Sequence, residues 1–196
     1  MTESASELSR FLARAERLLD RIDTLLPAGH SVPDWKAAVA FRWRKGANGS
    51  GWLQPVVRPH PIRLADLHDI DDQKARAVAN TRQFVAGQPA NNMLLTGTRG
   101  CGKSSLVKAL LNEFARKGLR LIEVDKSDLV DLPDIVDLVA ERPERFMIFC
   151  DDLSFEAGDA SYKALKVVLD GSVAAPPDNV LIYATSNRRH LMPEYF

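Results

Sequence analysis

The chain has 196 residues, 45% of them hydrophobic and 27% charged, and its 26 Lys/Arg are balanced by 26 Asp/Glu. That suits a globular chain with enough core to need no disulfide or metal staple, and zero net charge gives no overall pull toward nucleic acid or membrane. Cys101 and Cys150 make neither a disulfide framework nor a metal-ligand spacing; no apolar run approaches the roughly 20 residues that span a bilayer, and Met1-Thr2-Glu3-Ser4 does not begin a secretory signal. The expectation is a cytoplasmic protein without a membrane partner.

In chain order, Ser4-Ala5-Ser6-Glu7 reads as a capping box. Leu8, Phe11, Leu12, Ala15, Leu18, Leu19, Ile22 and Leu25 follow at helical spacing until Pro27 and Gly29 stop them. Residues 1–30 are therefore expected to form an amphipathic helix that docks on its own domain or on a partner. Residues 31–61 are a connecting segment in which Trp35, Phe41, Trp43 and Trp52 interleave with Lys36, Arg42, Arg44, Lys45 and Arg58. Such aromatics could stack on bases or pack against the domain with the basic heads in water. The slight basic excess, nine Lys/Arg against six Asp/Glu up to residue 62, favours packing.

Residues 62–196 form the core region, where helix-like and strand-like patterns alternate. The spacing predicts helices over 69–85, 103–117, 129–142 and 162–169, and buried strands over 92–96, 120–124, 146–150 and 180–184. Short apolar runs alternating with helices imply an α/β fold, a parallel sheet covered on both faces.

Gly97-Thr98-Arg99-Gly100-Cys101-Gly102-Lys103-Ser104 matches G-x-x-x-x-G-K-[ST] and lies between a predicted strand and a predicted helix, as the motif requires. Glycines let the backbone fold around phosphate oxygens, and the helix N-terminus favours negative charge. Lys103 suits the outer phosphates and Ser104 a Mg²⁺ ion. Cys101 is either a small residue tolerated in that loop or a thiol activated by the neighbouring lysine and helix end. An apolar strand runs into Asp151-Asp152. Asp151 suits the far side of the metal, and Asp152 suits orientation or activation of the attacking water. Asn187 follows the last predicted strand, on the edge where open α/β sheets bind ligands.

These motifs together resemble the AAA+ ATPase superfamily. Asn91-Asn92-Met93-Leu94-Leu95, Gly102-Lys103-Ser104-Ser105-Leu106, Cys150-Asp151-Asp152-Leu153-Ser154-Phe155 and Ala184-Thr185-Ser186-Asn187-Arg188-Arg189-His190-Leu191 are similar to a bacterial AAA+ family named only as a domain of unknown function. The resemblance implies a three-layer P-loop NTPase with sheet order 5-1-4-3-2. Walker A would be Gly97 to Ser105, Walker B Asp151 and Asp152, and sensor 1 Asn187. Ile70, ending the linker from Leu64, would lie near the adenine. It further implies ATP as ligand, ADP as product, Mg²⁺ as metal, and a homo-oligomer when full length, with a protein partner or DNA as the object of its work. The fifth strand, the helical lid and the arginine finger would lie beyond Phe196. Asp152 stands where most of the superfamily has Glu, so the expectation is an ATPase of low turnover. The alternative is a nucleotide-gated binding module with little or no hydrolysis. The loop 125–129 has neither aromatic nor glycine, which argues against polypeptide threading.

Overall fold

The computed structural model describes residues 14, 33–46, 49–155, 159–170 and 177–188. The expected helix over 1–30 lies outside the described residues except at Arg14. Among these residues six strands form one sheet: β1 (Ala40–Lys45), β2 (Gly51–Pro55), β3 (Met93–Thr96), β4 (Leu119–Glu123), β5 (Arg145–Cys150) and β6 (Val180–Ser186). Among the described residues, four α-helices cover it: α1 (Asp71–Val85), α2 (Lys103–Phe114), α3 (Leu132–Val139) and α4 (Ala160–Asp170).

The strand order is β2-β1-β4-β5-β6-β3. All neighbours run parallel except the β1–β2 hairpin. Read from β3, the four strands predicted from the sequence lie in the order 1-4-3-2, as the AAA+ order requires. Past β4 the sheet continues where the sequence reading placed only a connector. Ala40, Phe41 and Arg42 of β1 pair with Leu121, Ile122 and Glu123, so part of the 31–61 segment is sheet.

Alternation along the strands builds two cores. Ile122, Ile148 and Ile182 face Ile135 and Val139 of α3 and Leu165 of α4, in one cluster with Trp35, Phe41 and Trp43. Leu121, Met147, Phe149, Leu181 and Tyr183 face Ala77 and Phe84 of α1 and Leu106, Leu110 and Phe114 of α2. This is the three-layer α/β architecture.

The aromatic residues of β1 and its approach resolve the choice between stacking on bases and packing. Trp35 meets Phe41 at 4.7 Å and Phe146 edge-on at 5.0 Å between ring centroids, and Trp35, Phe41 and Trp43 are buried. Three of the basic residues beside them are engaged as well. Arg42 donates twice to Glu123, at 2.9 and 2.6 Å, Lys45 meets Asp131 at 2.8 Å, and Arg44 donates to Gln54 at 3.1 Å.

Two expectations need correction. The 92–96 strand was expected to be buried, but β3 pairs only with β6 among the described residues, and Leu94 is 42% exposed. The predicted helix over 129–142 is a 3-10 turn, Lys126–Asp131, followed by the shorter α3. Pro133 sits in the first turn of α3, where its missing N–H is tolerated. The Asp131 carboxylate just before it accepts from Trp43 Nε1 at 3.1 Å and from Lys45 Nζ.

The hairpin depends on one close approach. A Cβ on Gly51 would lie 1.9 Å from Cζ2 of Trp43, so the indole occupies the space that a side chain at this position would need. Gly51→Ala is expected to displace Trp43 and lower stability by about 1–3 kcal/mol. Urea unfolding followed by tryptophan fluorescence checks this, and an unchanged midpoint would show that the ring is not held there.

Candidate active site

Parallel register brings the strand ends together. Thr96 pairs with Ser186, and Cys150 pairs with Ala184. The loop after β3, the acids after β5 and the turn after β6 therefore leave the sheet at one edge. Gly97 N–H continues the ladder by donating to Ser186 O at 3.3 Å.

The loop after β3 ends at Gly102, which caps α2 in the left-handed region at φ 89°. A side chain there would be strained, and Leu106 N–H opens the helix by donating to Gly102 O at 2.8 Å. The α2 pattern of buried Leu106, Val107, Leu110, Leu111 and Phe114 anchors the helix on the sheet, so its N-terminus is aimed by the core behind it.

Lys103 Nζ lies inside the loop. It donates to Gly97 O at 2.7 Å, Thr98 O at 2.8 Å and Asn187 Oδ1 at 2.9 Å, and lies 3.7 Å from Cys101 Sγ. Asn187 Nδ2 in turn donates to Asp152 Oδ1 at 2.6 Å, so a continuous chain runs Lys103–Asn187–Asp152. Beside it, Ser104 Oγ donates to Asp151 Oδ1 at 2.6 Å. A cavity of about 430 Å³ lies over these groups, lined by Arg99, Gly100, Gly102, Lys103, Ser104, Ser105, Asp151, Asp152, Thr185 and Asn187. That is within the usual range for small-molecule sites.

Of the residues selected from the sequence, Gly97 and Thr98 turn their carbonyls to Lys103, and Cys101 is exposed beside it. Ile70 does not line the cavity. It caps α1 and packs behind the loop, its Cδ1 lying 3.9 Å from where a Cβ on Gly102 would be. Arg188 N–H donates to Ser186 Oγ at 3.1 Å, a turn-forming contact.

Sequence reading missed the polar residues of β6 behind the site. Thr185 Oγ1 donates to Asp151 Oδ1 and accepts from Asp152 N–H at 2.8 Å. Ser186 Oγ donates to Leu153 O at 2.7 Å. Further along β6, Tyr183 OH accepts from Asn80 Nδ2 and shares a hydrogen bond with Thr81, both at 2.9 Å. Burial holds its phenol above the usual tyrosine range. The available signal was polarity: Tyr183, Thr185 and Ser186 interrupt an apolar strand.

The family model described as "Protein of unknown function (DUF815)" matches residues 36–196. The chain belongs to this family. It is a AAA+ P-loop family, the one that the motifs resemble. This DUF815 chain is also 29% identical over 122 residues to the Replication factor C large subunit of Staphylothermus marinus, covering 58% of the chain and 28% of that protein. To the Replication factor C large subunit of Sulfolobus acidocaldarius it is 34% identical over 91 residues, covering 46% and 20%. The chain thus spans under a third of the length of these relatives. Among solved structures, a Thermotoga maritima RuvB mutant superposes with a TM-score of 0.49 at 13% identity, over 68% of this chain and 44% of that one. AMPPCP-bound DnaA from Aquifex aeolicus gives 0.46 at 16%, over 66% and 43%. No described helix is long and apolar enough to cross a membrane.

Cys150, the last residue of β5, supplies a pH test of how dry the sheet is under the site. Burial pushes its thiol up to about 12 from an ordinary 9.0. The unfolded chain therefore loses this proton first, and stability present below pH 9 is lost as pH rises toward 12. By pH 10.5, urea unfolding should show the wild type losing about 2 kcal/mol more than Cys150→Ala, relative to each at pH 7. Parallel pH profiles for the two proteins would contradict a dry strand end.

Proposed function

We propose that this DUF815 protein binds ATP in the cavity at the loop Gly97 to Ser105 and hydrolyses it to ADP and phosphate. The observation that carries the reading is the chain Lys103–Asn187–Asp152 lying beside the Ser104–Asp151 pair. The backbone N–H groups at the start of α2 suit phosphate oxygens, and Lys103 would exchange its carbonyl partners for the outer phosphates. Ile70, behind Gly102, is the residue we assign to the adenine side.

The donor set also fits Mg²⁺. Ser104 and Asp151 offer hard oxygens, and no group of three or more His, Cys, Asp or Glu forms a metal cage among the described residues. Few protein ligands, with phosphates and water completing the shell, is how Mg²⁺ is commonly held. When bound, the ion supplies neutralisation of the developing phosphate charge.

Asp152 would take the proton of the attacking water, and Asn187, donating to the Asp152 carboxylate, would hold acid and water in one orientation. The shorter acid is compatible with this role because Asp152 has a left-handed backbone, φ 53°, which Asp tolerates better than most residues. We assign the energy of turnover to conformational change within a homo-oligomer. The matched relatives are replication proteins by name, which keeps DNA-linked work in view, although Arg42 and Lys45 of this chain are spent on carboxylates.

Two variants test the reading. Lys103→Ala should weaken ATP binding about 10–100-fold, the loss expected for charge-assisted hydrogen bonds. Asp152→Asn should bind ATP as the wild type does while phosphate release falls about 10²–10⁴-fold. Wild-type protein that binds ATP but releases phosphate no faster than Asp152→Asn would instead make the site a nucleotide-gated binding module.

A further inference from the structure

Among the described residues, Thr185 is the one buried hydroxyl that touches both acids of the site. Its side chain is in the sheet, 1% exposed, whereas Asp151 and Asp152 are exposed. A buried hydroxyl is costly unless bonded, and here both of its capacities are used, one as donor and one as acceptor. Packing alone does not call for it, since valine has the same branched shape and suits a strand at least as well.

The bonds have a direction. Asp151 Oδ1 accepts from Ser104 Oγ on the loop side and from Thr185 Oγ1 on the sheet side. If Ser104 turns to another ligand, the bond from Thr185 is the tether that remains. The same Thr185 oxygen accepts the Asp152 N–H, and Thr185 O accepts Leu153 N–H at 2.7 Å. These two bonds hold the backbone turn in which Asp152 takes its positive φ and reaches Asn187.

We propose that Thr185 is a positioning residue: its hydroxyl locks the Asp151 carboxylate and the Asp152 backbone to β6, so that the first is preset to receive a divalent cation together with the nucleotide. This rests on reading the cavity as a Mg²⁺–ATP site. Removing a hydrogen-bond partner of a metal-binding carboxylate commonly weakens metal affinity about 10–100-fold.

The test is ATP binding by titration calorimetry, with and without Mg²⁺, on wild type, Thr185→Val, Thr185→Ser and Ser186→Ala. In Thr185→Val the gain in ATP affinity on adding Mg²⁺ should shrink about 10–100-fold, with affinity in EDTA unchanged. Thr185→Ser restores the hydroxyl and should restore the gain. Ser186→Ala removes the neighbouring bonds to Leu153 O and from Arg188 N–H, which touch neither acid, and should keep the gain even if thermal stability falls. Should Thr185→Val not fold, Thr185→Ala takes its place. A full Mg²⁺ gain in the hydroxyl-free variant overturns the proposal, as does an equal loss in Ser186→Ala. If wild type binds ATP with no Mg²⁺ gain, the metal-site reading fails with it. A normal wild-type gain that Thr185→Val retains removes Thr185 alone.

Discussion

β6 is hydrogen-bonded on both sides, to β3 and to β5, and the geometry of the site depends on that double pairing. Its register sets Ser186 opposite Thr96 and Ala184 opposite Cys150, so three chain segments leave the sheet at one level. In a parallel sheet the strand ends share a direction and the crossovers lie on the faces. The edge is left clear for a loop, two carboxylates and an amide to converge. A one-residue slip of β6 would turn Thr185 to the other face of the sheet and part both acids from the hydroxyl that holds them.

That register is held from the core. Tyr183 is fully buried with its hydroxyl bonded to Asn80 and Thr81 on α1, which ties β6 to the helix layer in a specific position. Asn92 Oδ1 accepts Ile182 N–H at 2.8 Å just below. At the opposite end of the sheet, Arg145 Nη1 donates to Asp178 O and Asn179 Nδ2 donates to Val139 O and Arg142 O. Polar bonds of this kind add specificity to an apolar core because each must be satisfied in one arrangement. The exposed reactive groups thus stand on a frame that is itself packed and paired.

The hairpin β1–β2 shows where local reading stops. Trp35, Phe41 and Trp43 among basic residues allow two opposite surfaces, one for bases and one for a core, and their spacing does not choose between them. The choice is made by Ile122 and Phe146, which lie far along the chain and cover the rings, and by Glu123 and Asp131, which take the charges of Arg42 and Lys45. The shorter α3 has a similar origin, since Asp131 is recruited by Trp43 from a strand 88 residues away. Leu94 shows the reverse case: an apolar run reads as buried, yet its strand has a described partner on one side only.

The sequence by itself determined the loop Gly97 to Ser104, the acids Asp151 and Asp152, Asn187 and the alternation of helices and strands. These are local patterns whose physics, glycine freedom, charge and hydrophobic period, is complete within a few residues. It also carried enough of each motif to point to the family. The tertiary structure alone decided that Lys103, Asn187 and Asp152 form one hydrogen-bonded chain, that Ile70 stands behind the loop, and that Thr185 holds both acids. Those relations join residues dozens of positions apart, and a hydrogen bond requires its two atoms within about 3 Å. Only the register of β3, β6 and β5 brings them that close.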